Sequence, residues 1–440
     1  MITIGLDVGT TTISGVVFDS TQQTVLATRT LPNNAQVQTG KLWENLQDPH
    51  VIWDTCLTLV NEFRKDFPQA AAIGLSGQMH GMVYVDSKGR ALSNLVTWQD
   101  GRGNQIFLDG KTYAEILSGL LGYRMATGYG LTTHFYNLQN GLVPNGAATF
   151  CTIADYIGMR LCSRETPLVH ASNAHSLGAF DLSRMQFDLE KISNVGINAG
   201  MLPEVAQGEA MIGETKDGIA VWAAIGDNQA SFLGAAGDTY NVVANIGTSS
   251  QLSVRSRSLL SAEGLDIRPH VKGEFILVGA GLCGGSAYAL LRDLFQELLE
   301  MYGMDASNTL YEKMENAAVM VLESENQLAV DIRFRGTRLD AKPRGAITQI
   351  GMDNLSVGHL TLGVMRGICD ELYGFYLNVP ESLRDTKGMV GSGNALRHNA
   401  TLRAILADRF GMELQLSPYK EEGALGASMV ACGFNCSQNS

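Results

Sequence analysis

Asp227 stands where an apolar run, Ala220 to Ile225, gives way to Gly226-Asp227-Asn228-Gln229. A carboxylate at a strand end beside two amides is placed to act as a general base, with neighbours to hold what it deprotonates. The same residues also suit a helix start, with Asp227 or Asn228 capping a helix through Ala235, and the string alone leaves both readings open. A second set is Gln78-Met79-His80 between Gly77 and Gly81. It puts an amide, a thioether and an imidazole on one loop whose glycines let the backbone approach a small ligand. Trp98, Asp100 and Arg102 form a third: an apolar platform, an acceptor and a bidentate donor, which suits a polyol, or else an Asp-Arg turn closed by its own salt bridge. A fourth is Asp7-Val8-Gly9-Thr10-Thr11-Thr12. Backbone N–H groups and Thr hydroxyls at such a bend can face an anion while Asp7 serves a cation, and a plain hairpin with a polar tip is the other reading.

The elements that must carry these groups follow from the apolar spacing. Ile2 to Asp19 reads as strand, tight turn, strand. Val242 to Val254 repeats that design around Gly247-Thr248-Ser249-Ser250, more than half the chain further on. Two like hairpins opening two like-sized halves point to an internal duplication, and two such hairpins can hold a polyphosphate from both sides. Between them, Leu46 to Phe67 has helical spacing, Ala70 to Leu75 and Met82 to Val85 read as strands, and Leu95 to Trp98 as a short strand. Helices are expected near Tyr113 to Leu121 and over Cys151 to Leu161, with Glu204 to Ile212 as loop and a domain boundary near Val221 to Ile225. In the second half, Gly285 to Tyr302, Leu362 to Leu377 and Thr401 to Phe410 read as helices. Lys387 to Val390 is a strand running into Gly391-Ser392-Gly393-Asn394. Strands separated by helices, with Gly-rich polar ends, make an α/β protein with its functional loops at one sheet edge.

Composition narrows the partners. The 440 residues are 45% hydrophobic with 49 Gly and only 10 Pro, which is a folded, turn-rich chain long enough for two or three cores. The formal net charge of −12 and the lack of any basic concentration argue against nucleic acid or an anionic membrane. Seven Cys, irregularly spaced and without a C-x-x-C pair, read as buried thiols of a reducing cytoplasm. Met1 leads directly into a strand, which reads as no signal peptide, and no apolar run has bilayer length. There is no G-x-x-x-x-G-K-[ST] loop. Gly279-Ala280-Gly281-Leu282-Cys283-Gly284 has the form of a dinucleotide fingerprint, but no clear βαβ unit with a ribose-binding acid follows, so these glycines read as close helix-to-sheet packing.

Six pieces, in order and spanning nearly the whole chain, resemble the FGGY carbohydrate kinases of the actin, hexokinase and heat-shock ATPase superfamily. They are DVGTTTISGVVFD at 7–19, SGQMHG at 76–81, TWQDGRG at 97–103, GDNQAS at 226–231, NIGTSS at 245–250 and GSGNALRHN at 391–399. SGQMHG is similar to the family's xylulokinases. TWQDGR, GSGNALRHN and a further stretch, ASNAHSLGAFDL at 171–182, are similar to its sedoheptulokinases. The segment 334–345, FRGTRLDAKPRG, departs from the xylulokinase pattern.

The resemblance implies two actin-like (ribonuclease H-like) α/β domains, 1–223 and 224–440, around a central nucleotide and sugar cleft. It implies ATP, Mg²⁺ and a sugar or polyol, no nucleic acid or membrane partner, and a cytoplasmic monomer or homodimer. Carried over by motif, Asp7 would organise Mg²⁺ through water. Thr10, Thr11 and Thr12 with Gly247, Thr248 and Ser249 would hold the phosphates, and Gly391, Ser392, Gly393 and Asn394 would flank the adenosine. Gln78, Met79, His80, Trp98, Asp100, Arg102 and Asn228 would face the sugar, and Asp227 would be the base. The expected reaction is phosphorylation of a primary hydroxyl of a ketose, sedoheptulose first and xylulose or another pentulose or polyol next. An actin-like or chaperone-type ATPase would carry similar nucleotide hairpins, but it has no use for the sugar-facing loops.

Overall fold

The structure is a computed structural model that describes residues 1–305, 308–337, 340, 342, 344–384 and 388–433. The chain forms two compact units. The first is Met1–Gly237 with Arg268–Glu274 and Glu421–Ser440, and the second is Asp238–Ile267 with Phe275–Lys420. This differs from the expected division at 223/224: the helix after Gly226 stays with the first unit, and so does the last described helix.

In the first unit, β1 (Ile2–Val8), β2 (Thr12–Asp19) and β3 (Thr24–Pro32) form an antiparallel meander. Helix α1 (Pro49–Asp66) starts at Asp48, whose carboxylate accepts the His50 N–H, and has Pro49 at its first position. It returns the chain so that β4 (Ala72–Gly77) lies parallel to β1. Later strands extend this edge: β5 (Met211–Glu214), β6 (Ala220–Trp222) and the short β7 (Ile225–Gly226). The order is β5-β6-β4-β1-β2-β3, with β7 pairing further along β4. Ile4, Leu6, Val8, Ile13, Val17, Ile73 and Leu75 are fully or almost fully buried in the core that this sheet shares with α1 and α2 (Ile153–Leu161). Residues 204–212, read as loop in the sequence, contribute the short strand Glu204–Val205 and the start of β5.

Two further helices matter to the site. Helix α3 (Ala171–Leu177) precedes β5, and α4 (Asp227–Ala236) follows β7 directly. In the second unit, β8 (Val242–Ile246), β9 (Ser250–Ser256) and β10 (Phe275–Gly281) repeat the antiparallel meander. Helices α5 (Gly285–Glu300), α6 (Leu310–Met320) and α7 (Val357–Leu377) follow. Then β11 (Gly388–Ser392) lies parallel to β8, and β12 (Glu413–Leu416) parallel to β11. Helices α8 (Asn394–His398) and α9 (Ala400–Phe410) stand between them. Lys387, expected to open β11, lies outside the described residues.

Strand for strand, β10-β9-β8-β11-β12 matches β3-β2-β1-β4-β6 in order and in sense. The duplication read from two hairpins thus extends to the sheets. The fingerprint-like glycines lie at an antiparallel strand end, where a Cβ on Gly279 would strike Phe375 and one on Gly284 would strike the Ser249 backbone. They serve close packing.

The last helix, α10 (Glu422–Ala431), packs on α4, β1 and β4 of the first unit. Its run of Gly, Ala and Ser brings backbone against backbone: a Cβ on Gly5 would lie 1.9 Å from the Ala424 carbonyl oxygen. No helix among the described residues is long and apolar enough to cross a membrane.

Candidate active site

The β1–β2 turn is fastened by its carbonyls. Asn33 Nδ2 donates to the Gly9 oxygen at 2.9 Å, Gln47 Nε2 to the Thr10 oxygen at 2.8 Å, and the Asn33 N–H to the Thr11 oxygen at 2.8 Å. Donors on the protein side of a turn hold its carbonyls there, the arrangement an anion-facing turn needs. Thr10 is half-buried, while Thr11 and Thr12 are exposed.

Asp7 ends β1 opposite Ser76 in the parallel β1–β4 register, and Ser76 Oγ donates to Asp7 Oδ1 at 2.9 Å. Burial raises the Asp7 pKa above the usual carboxylate range, and the charge of Glu421 raises it further, against the Ser76 bond. Asp227 is the first residue of α4. The helix is capped by the Gly226 backbone with no side-chain bond, so neither Asp227 nor Asn228 is the cap. Burial, then the charge of Asp7, pushes Asp227 up to about 7; the Asn228 N–H and Arg268 oppose this. A cation beside Asp7 would relieve the repulsion that its charge places on Asp227. Among the described residues no cluster of three His, Cys, Asp or Glu is arranged to hold a metal alone. A Mg²⁺ here would therefore keep water and phosphate ligands, as that ion commonly does; the residues present fit it on those terms.

The Gln78–His80 loop divides its labour. Gln78 is buried, with Nε2 donating to Gln47 Oε1 at 2.9 Å and Oε1 accepting from Thr10 Oγ1 at 3.4 Å. Met79 is also buried, its sulfur packed on Gly226. These contacts brace the loop. His80 takes a left-handed backbone, φ 70°, uncommon for a residue with a side chain and often found at functional sites. Its Nδ1 lies 2.8 Å from the Ser176 carbonyl oxygen. A carbonyl only accepts, so the neutral ring carries its proton on Nδ1 and Nε2 is the acceptor. The ring stacks on Tyr129 with centroids 4.6 Å apart and planes at 6°.

Trp98 is 45% exposed, and its Nε1 donates to Thr10 Oγ1 at 3.1 Å. Asp100 and Arg102 are different. Both are buried, and Arg102 Nε and Nη2 donate to Asp100 Oδ1 and Oδ2 at 2.7 and 3.2 Å. Asp100 Oδ2 also takes the Asn45 N–H, and Arg102 Nη1 donates to Asn137 Oδ1 at 2.8 Å. They pair with each other in a turn that fastens the loop presenting Trp98. Asn228 is half-buried, its Oδ1 accepting from Arg268 at 3.3 Å.

In the second unit, the Gly247–Ser250 turn leans on the start of α5, whose Gly285 and Ser286 N–H groups donate to the Gly247 and Thr248 oxygens at 2.8 and 3.0 Å. Thr248 and Ser249 are exposed at the tip. The Gly391–Asn394 turn is next to it in the sheet, and Asn245 Nδ2 ties the two through Ser392 Oγ at 2.6 Å. Gly393 has φ 88°, and a Cβ there would lie 2.5 Å from the Ile246 oxygen. A cavity of about 670 Å³ opens beside both turns, lined by Gly247, Thr248, Tyr288, Tyr311, Glu315, Asn394 and Asn399 among others. Its size and its mix of aromatic wall and few polar groups suit a nucleoside.

Sequence reasoning missed Ser76, Gln47, Glu421 and Tyr129. Only the β1–β4 register makes Ser76 a signal, by setting it opposite Asp7. The other three lie far in sequence from the groups they serve.

The N-terminal domain of the FGGY family of carbohydrate kinases matches residues 2–247, and the C-terminal domain of that family matches residues 242–433. The chain is 27% identical to sedoheptulokinase of Mus musculus over 480 residues, covering 99% of this chain and 98% of that one. It is 27% identical to sedoheptulokinase of Homo sapiens over 472 residues, covering 98% and 97%. Among solved structures, xylulose kinase from Rhodospirillum rubrum aligns with a TM-score of 0.83 at 21% identity, covering 98% of this chain and 90% of that one.

Proposed function

Because this chain belongs to the FGGY family of carbohydrate kinases and is an ATP-dependent sugar kinase, we propose that it phosphorylates the primary hydroxyl of a ketose, sedoheptulose before others. The observation that carries the chemistry is Asp227, free of any capping duty at the end of β7, with its pKa lifted to about 7. A base of that strength takes a hydroxyl proton near neutrality.

Phosphoryl transfer asks the protein mainly for position and charge. As the sugar oxygen bonds the γ-phosphorus and the bond to the β,γ-bridging oxygen breaks, the hydroxyl proton passes to Asp227 and ADP leaves. The Thr10–Thr12 and Gly247–Ser249 turns offer backbone N–H groups and hydroxyls to the phosphates, and the Gly391–Asn394 turn flanks the adenosine. Asp7 would hold a hydrated Mg²⁺, which when bound would neutralise phosphate charge. His80 Nε2 accepts from a sugar hydroxyl, Trp98 lies against the C–H face of the sugar, and Asn228 completes the polar edge.

Support for a seven-carbon acceptor comes from likeness to two sedoheptulokinases along nearly their whole length. A site built to bond extra hydroxyls disfavours shorter ketoses, because an unpaired buried polar group costs about 1–3 kcal/mol. The test is kcat/KM for sedoheptulose, xylulose, ribulose and glycerol on one enzyme preparation. Preference for any of the last three sinks the substrate while leaving the kinase standing; ATP turnover indifferent to every sugar sinks the acceptor site altogether. His80→Ala is expected to raise the sugar KM far more than the ATP KM, and equal effects would make this loop structural.

A further inference from the structure

The first residues of the stretch ASNAHSLGAFDL reach the segment that delivers Asp227. On one edge, β7 pairs with β4: Ile225 lies opposite Ser76 and Gly226 opposite Gly77. On the other edge, the Ala224 carbonyl and the Gly226 N–H flank Ile225 and point the same way. They are the acceptor and donor that a parallel neighbour strand would take. At this edge the start of α3 supplies side chains in a strand's place. Ser172 Oγ accepts from the Gly226 N–H at 3.0 Å, and Asn173 Nδ2 donates to the Ala224 oxygen at 3.0 Å. Both residues are fully buried.

The two side chains are themselves locked. His170 Nδ1 accepts the Ser172 N–H at 3.2 Å, so that nitrogen bears no proton, and the contact of 2.8 Å between it and Ser172 Oγ is a bond donated by the hydroxyl. The serine oxygen is thereby turned toward Gly226. Asn173 Nδ2 also donates to Asp155 Oδ1 at 3.2 Å, and Asp155 Oδ2 accepts from Thr152 Oγ1 at 2.6 Å. Asp155 is buried at the start of α2.

We propose that Ser172 and Asn173 are positioning residues for Asp227, a two-side-chain substitute for a strand that fixes the backbone immediately before the base. This rests on the reading of Asp227 as base. A strand of two residues has little ladder of its own, so without these bonds Ala224 to Gly226 is held from the β4 side alone and Asp227 loses its fixed approach to the hydroxyl. Misplacement of a reacting group by about 1 Å costs about 10²-fold in rate.

The experiment uses the full chain with ATP, Mg²⁺ and whichever ketose of the panel gives the highest kcat/KM. Ser172→Ala should lower kcat by about 10- to 100-fold while both KM values stay within about twofold and Tm changes little. Ser172→Thr, which keeps the hydroxyl, should recover most of the loss. Asn173→Asp, which keeps the shape but lacks the donor to Ala224, is the second probe if Ser172→Ala does not fold. The diagnostic is the double variant: if Ser172 acts through Asp227, adding Ser172→Ala to Asp227→Asn slows the residual rate no further. Normal kcat in both folded single variants, or full additivity with Asp227→Asn, overturns the positioning role. Asp227→Asn with near-normal turnover overturns the base itself, a failure read independently of Ser172.

Discussion

A Cβ on Gly423 would lie 2.8 Å from Oδ2 of Asp7. The first turn of α10 thus passes against the carboxylate that would orient Mg²⁺, and only a residue without a side chain leaves it room. Gly423→Ala should displace Asp7 and raise the Mg²⁺ concentration for half-maximal activity, with kcat down about tenfold or more. Asp7→Asn should move the Mg²⁺ curve the same way by removing charge at constant shape. Titration of Mg²⁺ against activity checks both, and unchanged curves would take Asp7 out of the mechanism.

Asp227→Asn should lower kcat by about 10²–10⁴-fold, the range for loss of a general base, with ATP affinity little altered. In the parent enzyme, kcat/KM should fall as pH drops through the Asp227 pKa, about 7 in the free protein, because the protonated carboxyl cannot take the hydroxyl proton. A pH–rate profile without that acid limb would assign the proton transfer elsewhere.

Asp155 gives a stability prediction of fixed sign. Burial lifts its carboxyl to about 7, against hydrogen bonds from Thr152 and Asn173. The folded state keeps this proton where the unfolded chain, near 3.8, has lost it. Stability therefore falls as pH rises from about 4 to about 7 and is level beyond. Asp155→Asn carries no such charge, so its Tm should exceed the parent's at pH 8, by a free energy on the order of 2–4 kcal/mol at most. The gap should close toward pH 4. Thermal melts at three pH values suffice, and a constant gap would mean that Asp155 does not titrate there.

Gly393→Ala should act on the nucleotide. Its backbone is left-handed and its Cα faces the Ile246 backbone at close range, so any side chain forces the Gly391–Asn394 turn off β8. The expected result is an ATP KM raised by about tenfold or more with the sugar KM little changed; strain at such positions is on the order of 1–3 kcal/mol. A variant with an unaltered ATP KM would detach this turn from the adenosine site.

Much of the protein was legible in the chain because the signals are local. A Gly-Thr turn between alternating apolar residues specifies a hairpin within a dozen residues, and it did so at both Gly9 and Gly247. Gly285–Glu300 follows from its apolar spacing, and Tyr113–Leu121 from spacing with a Thr112–Glu115 capping box and Gly122 beyond its end. The matching sheet orders of the two units then bear out the duplication that the hairpins announced.

What the tertiary structure decided are the choices in which two local readings have similar energy. From the string, Asp100 and Arg102 could stay apart or pair; burial beside Asn45 and Asn137 brought them together, since buried charges must be paired. Asp227 or Gly226 can begin a helix, and β7 docking on β4 gave the cap to the glycine and released the carboxylate. The sequence of α10 says that its face is made of small residues, but not which sheet they meet. Packing on β1 and β4 brought Gly423 to Asp7 and carried the last helix back to the first unit. The spacing of residues along a chain determines local geometry; which distant backbone fills a given gap is fixed only when the whole core closes.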